Sequence, residues 1–220
     1  MTDTPSYIYL SWRKGRSSRR YLVGLLSRAP GHPIKFSYLS EGVAQARQDG
    51  FHGYTEFSDF SKQYDNEVLN VFAQRLTPMN RLSSSHIAKF WELPLSEIHN
   101  KWSILAYTQG LLATDNFELL ADYEPFKGLS FVSDLAGLSH VPVPLDLLST
   151  GEELQWDFEA KNSYDSKAVV VCKSGQHIGY IKKIHCNAFH KWPQDKIKLN
   201  VHAIEKNGVV KNIFVKVSMT

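Results

Sequence analysis

The sequence of 220 residues contains little cysteine and no segment typical of an export signal or a membrane span. Its two cysteines, Cys172 and Cys186, form neither a C-x-x-C pair nor the even-numbered ladder that cross-links small secreted domains. Residues 1–5 lack the basic and apolar stretches of a signal peptide, and no later run approaches the roughly 18 apolar residues that a membrane span requires. From these absences we predict a cytoplasmic protein.

The sequence also lacks the short motifs of common catalytic sites. It contains no G-x-S-x-G, G-x-G-x-x-G, P-loop or H-E-x-x-H pattern, and no carboxylate cluster of the kind that two-metal nucleases need. His185, Cys186 and His190 lie close together and could suggest a metal site or a thiol nucleophile, but H-C-x3-H is not a standard ligand spacing. A surface or helix-packing role is the simpler interpretation. We therefore expect no enzyme activity, no metal and no cofactor.

Arginine is absent from the second part of the chain, which indicates two modules. Residues 1–128 contain 8 Arg and 6 Lys, whereas residues 129–220 contain 11 Lys and no Arg. The stretch Tyr123-Glu-Pro-Phe-Lys-Gly128 has the Pro and Gly content of a connection. We place the two domains at residues 1–125 and 129–220. The net charge of +3 permits nucleic acid as a partner without requiring it.

The first module is predicted to be a small antiparallel sheet followed by helices. Its aromatic and β-branched runs, separated by Gly, Ser and Pro, predict strands at residues 7–12, 20–26 and 33–38. Apolar residues at helical spacing then predict helices at residues 66–76, 84–91 and 96–112.

The second module is predicted to consist almost entirely of short strands, so the fold class of the chain is α+β. Alternation predicts strands at residues 154–158, 168–172, 177–181, 196–204 and 209–217. Asn207-Gly208 between two alternating runs predicts a hairpin, because both residues tolerate the positive φ of a type I′ turn. Several short strands in about ninety residues favour a small barrel or a partly open sheet.

One stretch of the second module carries a recognisable motif. Asn162-Ser-Tyr-Asp-Ser-Lys-Ala168 is followed by a strand, a Gly turn and Gly179-Tyr-Ile-Lys-Lys183. This stretch resembles the HIRAN domain, whose pattern is approximately N-P-Y-D-x-x-A-[IV]-x-V, a turn, and then [IV]-G-[YH]-[LIV]. Ser163 departs from the family's proline. Upstream, Leu135-Ala-Gly-Leu138 and Gly151-Glu-Glu-Leu-Gln-Trp156 resemble the strands that precede the motif in the family.

The resemblance implies an OB-like barrel that captures the 3′ end of single-stranded DNA. In that arrangement Tyr164 stacks on a base, Asp165 accepts a hydrogen bond from the 3′-hydroxyl, Lys183 contacts a phosphate, and Tyr180 lies beside the phosphate path. Asn162 and Lys182 complete the set of candidate DNA-binding residues. The residue types support the first two roles, because any base can stack on an aromatic ring and a carboxylate among phosphates is useful mainly where a hydroxyl must be recognised.

A purely structural interpretation of the same residues remains open. Asn-x-x-Asp clusters before strands commonly form turns, with their side chains bonded to the local backbone. Lys182 and Lys183 alternate along a strand, so at most one of them faces a groove, and a solvated surface is the usual place for such a pair.

A second set of candidate phosphate contacts lies in the first module. Five cations occur within eight residues around Gly15: Arg13, Lys14, Arg16, Arg19 and Arg20. Such a loop could bind phosphates, since its Gly and Ser residues allow close approach of the backbone, or it could be a solvated hairpin tip.

The first module also resembles the small N-terminal subdomain of HipA-type toxin kinases, in Gly50-Phe-His-Gly-Tyr54, in residues 68–76 and in Thr114-Asp-Asn-Phe-Glu-Leu119. The kinase's ATP-binding and catalytic segments have no counterpart, so the resemblance implies a partner-binding role. We expect a non-catalytic protein that binds single-stranded DNA, or DNA 3′ ends, and that recruits a protein partner in DNA repair or phage defence. The alternative is a protein-interaction subunit of a toxin–antitoxin system.

Overall fold

The computed structural model describes residues 4–15, 18–76, 83–112 and 114–220, with the side chains of residues 83 and 84 outside that description. The chain forms two compact units, Met1–Asp122 and Tyr123–Thr220. No helix in the described ranges is long and apolar enough to cross a membrane.

The N-terminal unit contains one antiparallel sheet with the strand order β3-β2-β1-β4. Its strands are β1 Tyr7–Trp12, β2 Tyr21–Ser27, β3 Lys35–Tyr38 and β4 Phe117–Ala121. Ile8 and Leu10 alternate with more exposed residues along β1 and are fully buried, as expected of a sheet with one face on a core. The antiparallel sheet predicted from the sequence is confirmed, and β4 is an additional strand that completes it.

Helices pack around this sheet: α1 Ser40–Gln48, α2 Val68–Ala73, α3 Ser83–Phe90 and α4 Lys101–Thr108. The helix predicted at residues 96–112 is divided into a 3-10 turn, Leu95–Glu97, and α4. Asn100 caps α4, because its side chain accepts hydrogen bonds from the backbone N–H groups of Trp102 and Ser103. The helix ends at Gln109, whose φ of 59° is left-handed.

The C-terminal unit contains two three-stranded antiparallel sheets, with the strand orders β5-β10-β9 and β6-β7-β8. The strands are β5 Ser130–Asp134, β6 Gln155–Phe158, β7 Val169–Lys173, β8 Gln176–Tyr180, β9 Ile197–Asn207 and β10 Val209–Met219. Two isolated bridges attach residues outside the strands to them: Ala136 pairs with Tyr180 of β8, and Glu153 pairs with Asn200 of β9. The small barrel predicted from the sequence is not shown to be closed, because no continuous ladder joins the two sheets among the described residues.

The five strands predicted for this unit are present, with two local differences. The opening strand is β5, Ser130–Asp134, rather than residues 135–138. A short helix, α5 Cys186–Lys191, interrupts the strands, and it buries Ala188 and Phe189.

The β9–β10 hairpin is confirmed, but its turn is not of type I′. Gly208 has a φ of 69°, whereas Asn207 does not have a positive φ. Asn207 pairs directly with Val209, so the chain reverses at Gly208 alone.

Candidate nucleic-acid interface

The HIRAN-like motif forms a tight loop between β6 and β7. Backbone hydrogen bonds close this loop at its base, from Glu159 N to Ala168 O (2.9 Å) and from Ala168 N to Asp165 O (3.0 Å). A further bond joins Asn162 N to Glu159 O at 2.9 Å. The loop is thus held at several points before any side chain contributes. We call residues 159–168 the motif loop.

The Asn162 side chain organises the motif loop from within. Its Oδ1 accepts hydrogen bonds from the backbone N–H groups of Tyr164 (2.9 Å) and Asp165 (3.1 Å). Its Nδ2 donates to Glu159 Oε2 at 2.6 Å. This is the local side-chain-to-backbone bonding that Asn favours in turns. Asn162 therefore positions the two residues that follow it, which is the turn-forming role left open by the sequence.

Tyr164 projects from the motif loop into solvent. It is 79% exposed, and its ring contacts no other ring among the described residues. An aromatic ring of this size normally gains its stability from burial. An exposed ring on a fixed backbone is instead available to stack on a ligand.

Asp165 is half-buried beside Tyr164 and is only partly engaged. Its Oδ1 accepts a hydrogen bond from Lys167 N at 3.0 Å, whereas Oδ2 accepts none from the part of the chain that the structure describes. Asp165 can therefore accept a further hydrogen bond from a ligand donor such as a hydroxyl group.

Tyr180 lies at the end of β8 and is connected to the motif loop through Glu159. Burial, followed by its hydrogen bond to Glu159, raises the pKa of Tyr180 above the ordinary value. The hydrogen bond from Asn162, followed by that from Tyr180, lowers the pKa of Glu159. His177 packs edge-on against the Tyr180 ring, with 4.6 Å between the ring centroids. Tyr180 is thus held against the loop rather than free to move.

Gly179 explains why the motif requires glycine before Tyr180. Its φ is 153°, and a Cβ atom at this position would lie 3.0 Å from the carbonyl oxygen of Ala136. The Tyr180 backbone forms two hydrogen bonds with Ala136, of 2.8 and 2.9 Å. Only a residue without a side chain lets the backbones approach this closely.

The two neighbouring lysines occupy opposite environments. Lys183 is exposed, whereas Lys182 is fully buried with its Nζ atom 2.5 Å from Asp134 Oδ1. Lys182, a candidate from the sequence, therefore presents no ammonium group to a phosphate at the surface. Within the motif, Lys182 serves the core by pairing with Asp134.

His185 and Cys186 belong to the core, and His190 lies at the surface. His185 Nδ1 lies 2.8 Å from Ser133 Oγ, and burial raises the pKa of the Cys186 thiol to about 12. A thiol with this pKa stays protonated near neutral pH, which argues against a nucleophilic role. No cluster of three or more potential metal ligands occurs among the described residues.

The cationic loop of the N-terminal unit, which is the segment from Arg13 to Arg20 with its five cations, has part of its charge neutralised by an acidic residue. Glu118 is 2% exposed and receives Arg13 Nη2 at 3.1 Å and Arg20 Nε at 3.2 Å. Lys14 and Arg19 are exposed, and Arg19 lies over the Tyr21 ring. Arg16 lies outside the described residues.

Sequence reasoning missed Glu159, which connects the motif loop to Tyr180, and His177, which packs against the Tyr180 ring. Glu159 lies just before the motif, and nothing in its sequence surroundings separates it from an ordinary surface carboxylate. Its role depends on the β6–β7–β8 pairing that brings Tyr180 to it.

These features define a β-rich module with an exposed tyrosine and a partly engaged carboxylate on one ordered loop. The family model of the HIRAN domain matches residues 129–211, so this part of the C-terminal unit is similar to a HIRAN domain. Among solved structures, the chain is similar to that described as "Crystal structure of HIRAN domain of human HLTF", at 20% identity with a TM-score of 0.32, covering 40% of this chain and 74% of that one. No curated protein matched the chain.

Proposed function

We propose that the C-terminal unit binds the 3′ end of single-stranded DNA at the motif loop, and that the protein acts by binding rather than by catalysis. One observation carries this proposal: a fully projecting Tyr164 and a partly engaged Asp165 stand next to each other on a loop that Asn162 holds in place.

The roles of the two residues follow from their chemistry. Stacking of a base on an exposed ring contributes roughly 1–3 kcal/mol and tolerates any base. A carboxylate repels phosphates but accepts a hydrogen bond from a hydroxyl group, and such a charge-assisted bond is about twice as strong as a neutral one. The pair therefore favours a free 3′-hydroxyl over a 3′-phosphate or a continuous strand.

Lys183 is the candidate for the phosphate contact. It is exposed, whereas the neighbouring lysine of the motif is buried. Lys182 is left out of the proposed site because its ammonium is buried against Asp134.

Fluorescence anisotropy with labelled short single strands tests this proposal. We expect tighter binding to a strand with a 3′-hydroxyl than to the same strand with a 3′-phosphate, or to the duplex. Tyr164→Leu should weaken binding to all single strands, and Tyr164→Phe should not. Asp165→Ala should remove the preference for the free hydroxyl, whereas Asp146→Ala, which changes an exposed carboxylate of the same unit, should preserve it. Absence of binding at low salt would reject the proposal.

A second candidate function is recruitment of a protein partner by the N-terminal unit, as in DNA repair, phage defence or a toxin–antitoxin system. A shallow cavity of about 140 Å³ lies among Ile87, Trp91 and Ile104, and the neighbouring Leu111 and Leu112 are 38% and 37% exposed. Apolar surface of this kind suits a protein interface. The salt dependence of binding distinguishes the two functions. Affinity that comes from phosphate contacts falls as the salt concentration rises, whereas affinity that comes from apolar burial changes much less.

A further inference from the structure

A second aromatic surface lies beside the motif loop. Phe158, the last residue of β6, stacks on His190 of α5, with ring centroids 4.3 Å apart and 24° between the ring planes. Phe158 is 37% exposed, and His190 is also exposed. Two stacked rings therefore face solvent together.

The pair is continuous with the motif loop at both of its residues. Phe158 immediately precedes Glu159, where the loop begins. His190 Nε2 lies 3.0 Å from the carbonyl oxygen of Lys167, and because a carbonyl oxygen only accepts, this ring nitrogen donates. The loop that carries Tyr164 is thus bonded directly to the second aromatic surface.

Packing alone does not require an exposed ring at residue 158. Trp156 fills the inner position on β6 and packs edge-on against the buried Phe189, with ring centroids 4.9 Å apart. The ring of Phe158 packs nearly perpendicular to Trp156 and stacks on His190. Exposed lysines in the same loop, Lys161 and Lys167, supply the charge that a nucleic-acid backbone attracts.

We propose that the Phe158–His190 pair is a second stacking surface, which takes a base of the same single strand further from the end held by Tyr164 and Asp165. The inference rests on the proposed function and extends it. Successive bases on successive aromatic faces are a general means of binding single strands without sequence preference. The site therefore spans more than the terminal nucleotide.

Variants of the full chain and oligothymidylates of increasing length test this inference. Phe158→Leu keeps apolar volume and removes the aromatic face. The affinity of the wild type should increase with strand length until the second surface is occupied. The affinity of Phe158→Leu should stop increasing at a shorter length, so that this variant binds long strands about ten-fold more weakly than the wild type does. A dinucleotide should bind both proteins equally. Leu145→Ala, a change at an exposed apolar residue of the same unit, is the matched control.

A base analogue locates the contact directly. 2-Aminopurine loses fluorescence when it stacks, so the wild type should quench it at the 3′ terminus and at one internal position. Phe158→Leu should restore fluorescence only at the internal position, and Tyr164→Leu should restore it at the terminus.

The outcomes separate the two proposals. If the wild type binds no single strand, the proposed function fails. If it binds with a 3′-hydroxyl preference but Phe158→Leu behaves as the wild type at every length and position, the second surface alone is rejected. Circular dichroism of Phe158→Leu establishes that the variant is folded, and Phe158→Trp, which keeps an aromatic face, should retain wild-type binding to long strands.

Discussion

Lys182 and Lys183 are neighbours in the chain, but they contribute to different properties of the protein. The buried Lys182 balances the charge of Asp134, and the exposed Lys183 faces solvent. Removing one partner of a buried ion pair leaves the other charge buried without compensation, which costs about 3–5 kcal/mol. Removing an exposed charge changes stability by only about 0.5 kcal/mol.

We therefore expect Lys182→Met to lower the free energy of unfolding by about 3–5 kcal/mol and Lys183→Met to leave it nearly unchanged. Denaturant titration followed by circular dichroism measures both. Lys183→Met should instead weaken binding to single strands. Equal stability of the two variants would contradict the assignment.

Cys186 should be inert to thiol reagents while the protein is folded. Burial raises the pKa of its thiol to about 12, and only the thiolate reacts. In Cys172→Ser, a thiol reagent at pH 8 should label Cys186 slowly in the native state and rapidly in denaturant. Rapid labelling of the native variant would show that the thiol is accessible.

The same shift has a consequence for stability. Because the pKa of Cys186 is raised in the folded state, its contribution to folding is present below the ordinary thiol pKa near 9 and is lost as the pH rises toward 12. Stability should fall across this alkaline range, and less so in Cys186→Ala.

For single residues, the sequence identified which side chains belong to the motif, but it did not predict how buried or how paired each side chain is. Tyr164 and Asp165 could be selected because the motif places them in order. The burial of Lys182 could not be predicted, since it depends on Asp134, which lies 48 residues earlier in the chain and reaches Lys182 only through folding.

Among the structural elements, the motif loop depends most on one side chain. Asn162 satisfies the backbone N–H groups of Tyr164 and Asp165, so its removal frees both residues to sample other conformations. Ordering one residue costs about 1–2 kcal/mol, and 1.4 kcal/mol is a ten-fold change in affinity.

Asn162→Ala should therefore weaken binding to a 3′-hydroxyl single strand by about ten-fold or more, although Asn162 itself need not touch the DNA. Anisotropy titration measures the loss. Ser166→Ala, in the same loop and exposed, is the control and should bind as the wild type. If the two variants bind alike, the loop is held by its backbone bonds alone.

Elements with strong alternation were predictable, and those without it were not. The first half of β9 alternates between buried and more exposed residues, as its sequence does, and its strand was predicted. In β4, four of five residues are buried, so its pattern does not distinguish a strand from a short helix. The helix α1 was missed because few of its residues are apolar, and only Val43 and Ala46 are buried.

For the whole molecule, the distribution of cations raises the question of which unit contacts DNA. In the N-terminal unit, Arg13 and Arg20 share the buried Glu118, which reduces the charge that they offer to phosphates. Lys14 and Arg19 are the exposed cations of the described part of that loop.

If this loop contacts the strand, changing both Lys14 and Arg19 to Ala should make the dependence of log K on log salt shallower by about 1.4, since each single-strand phosphate contact contributes about 0.7. The double change Lys62→Ala and Lys89→Ala removes the same charge elsewhere in the unit and should leave the slope as it was. A slope that is identical in both double variants would confine the interface to the C-terminal unit. The 3′-hydroxyl preference should persist in either case.

The pairing of β5 with β10 also sets an order of events during synthesis. Residues 130–134 form the first strand of the C-terminal unit but hydrogen-bond with residues 214–218, so β5 leaves the ribosome long before its partner exists. The N-terminal sheet, in contrast, has all its strands once residue 121 has emerged. The C-terminal unit can therefore mature only after β10 has been translated, and an incomplete chain would carry the motif loop on the β6-β7-β8 sheet without a completed β5-β10-β9 sheet.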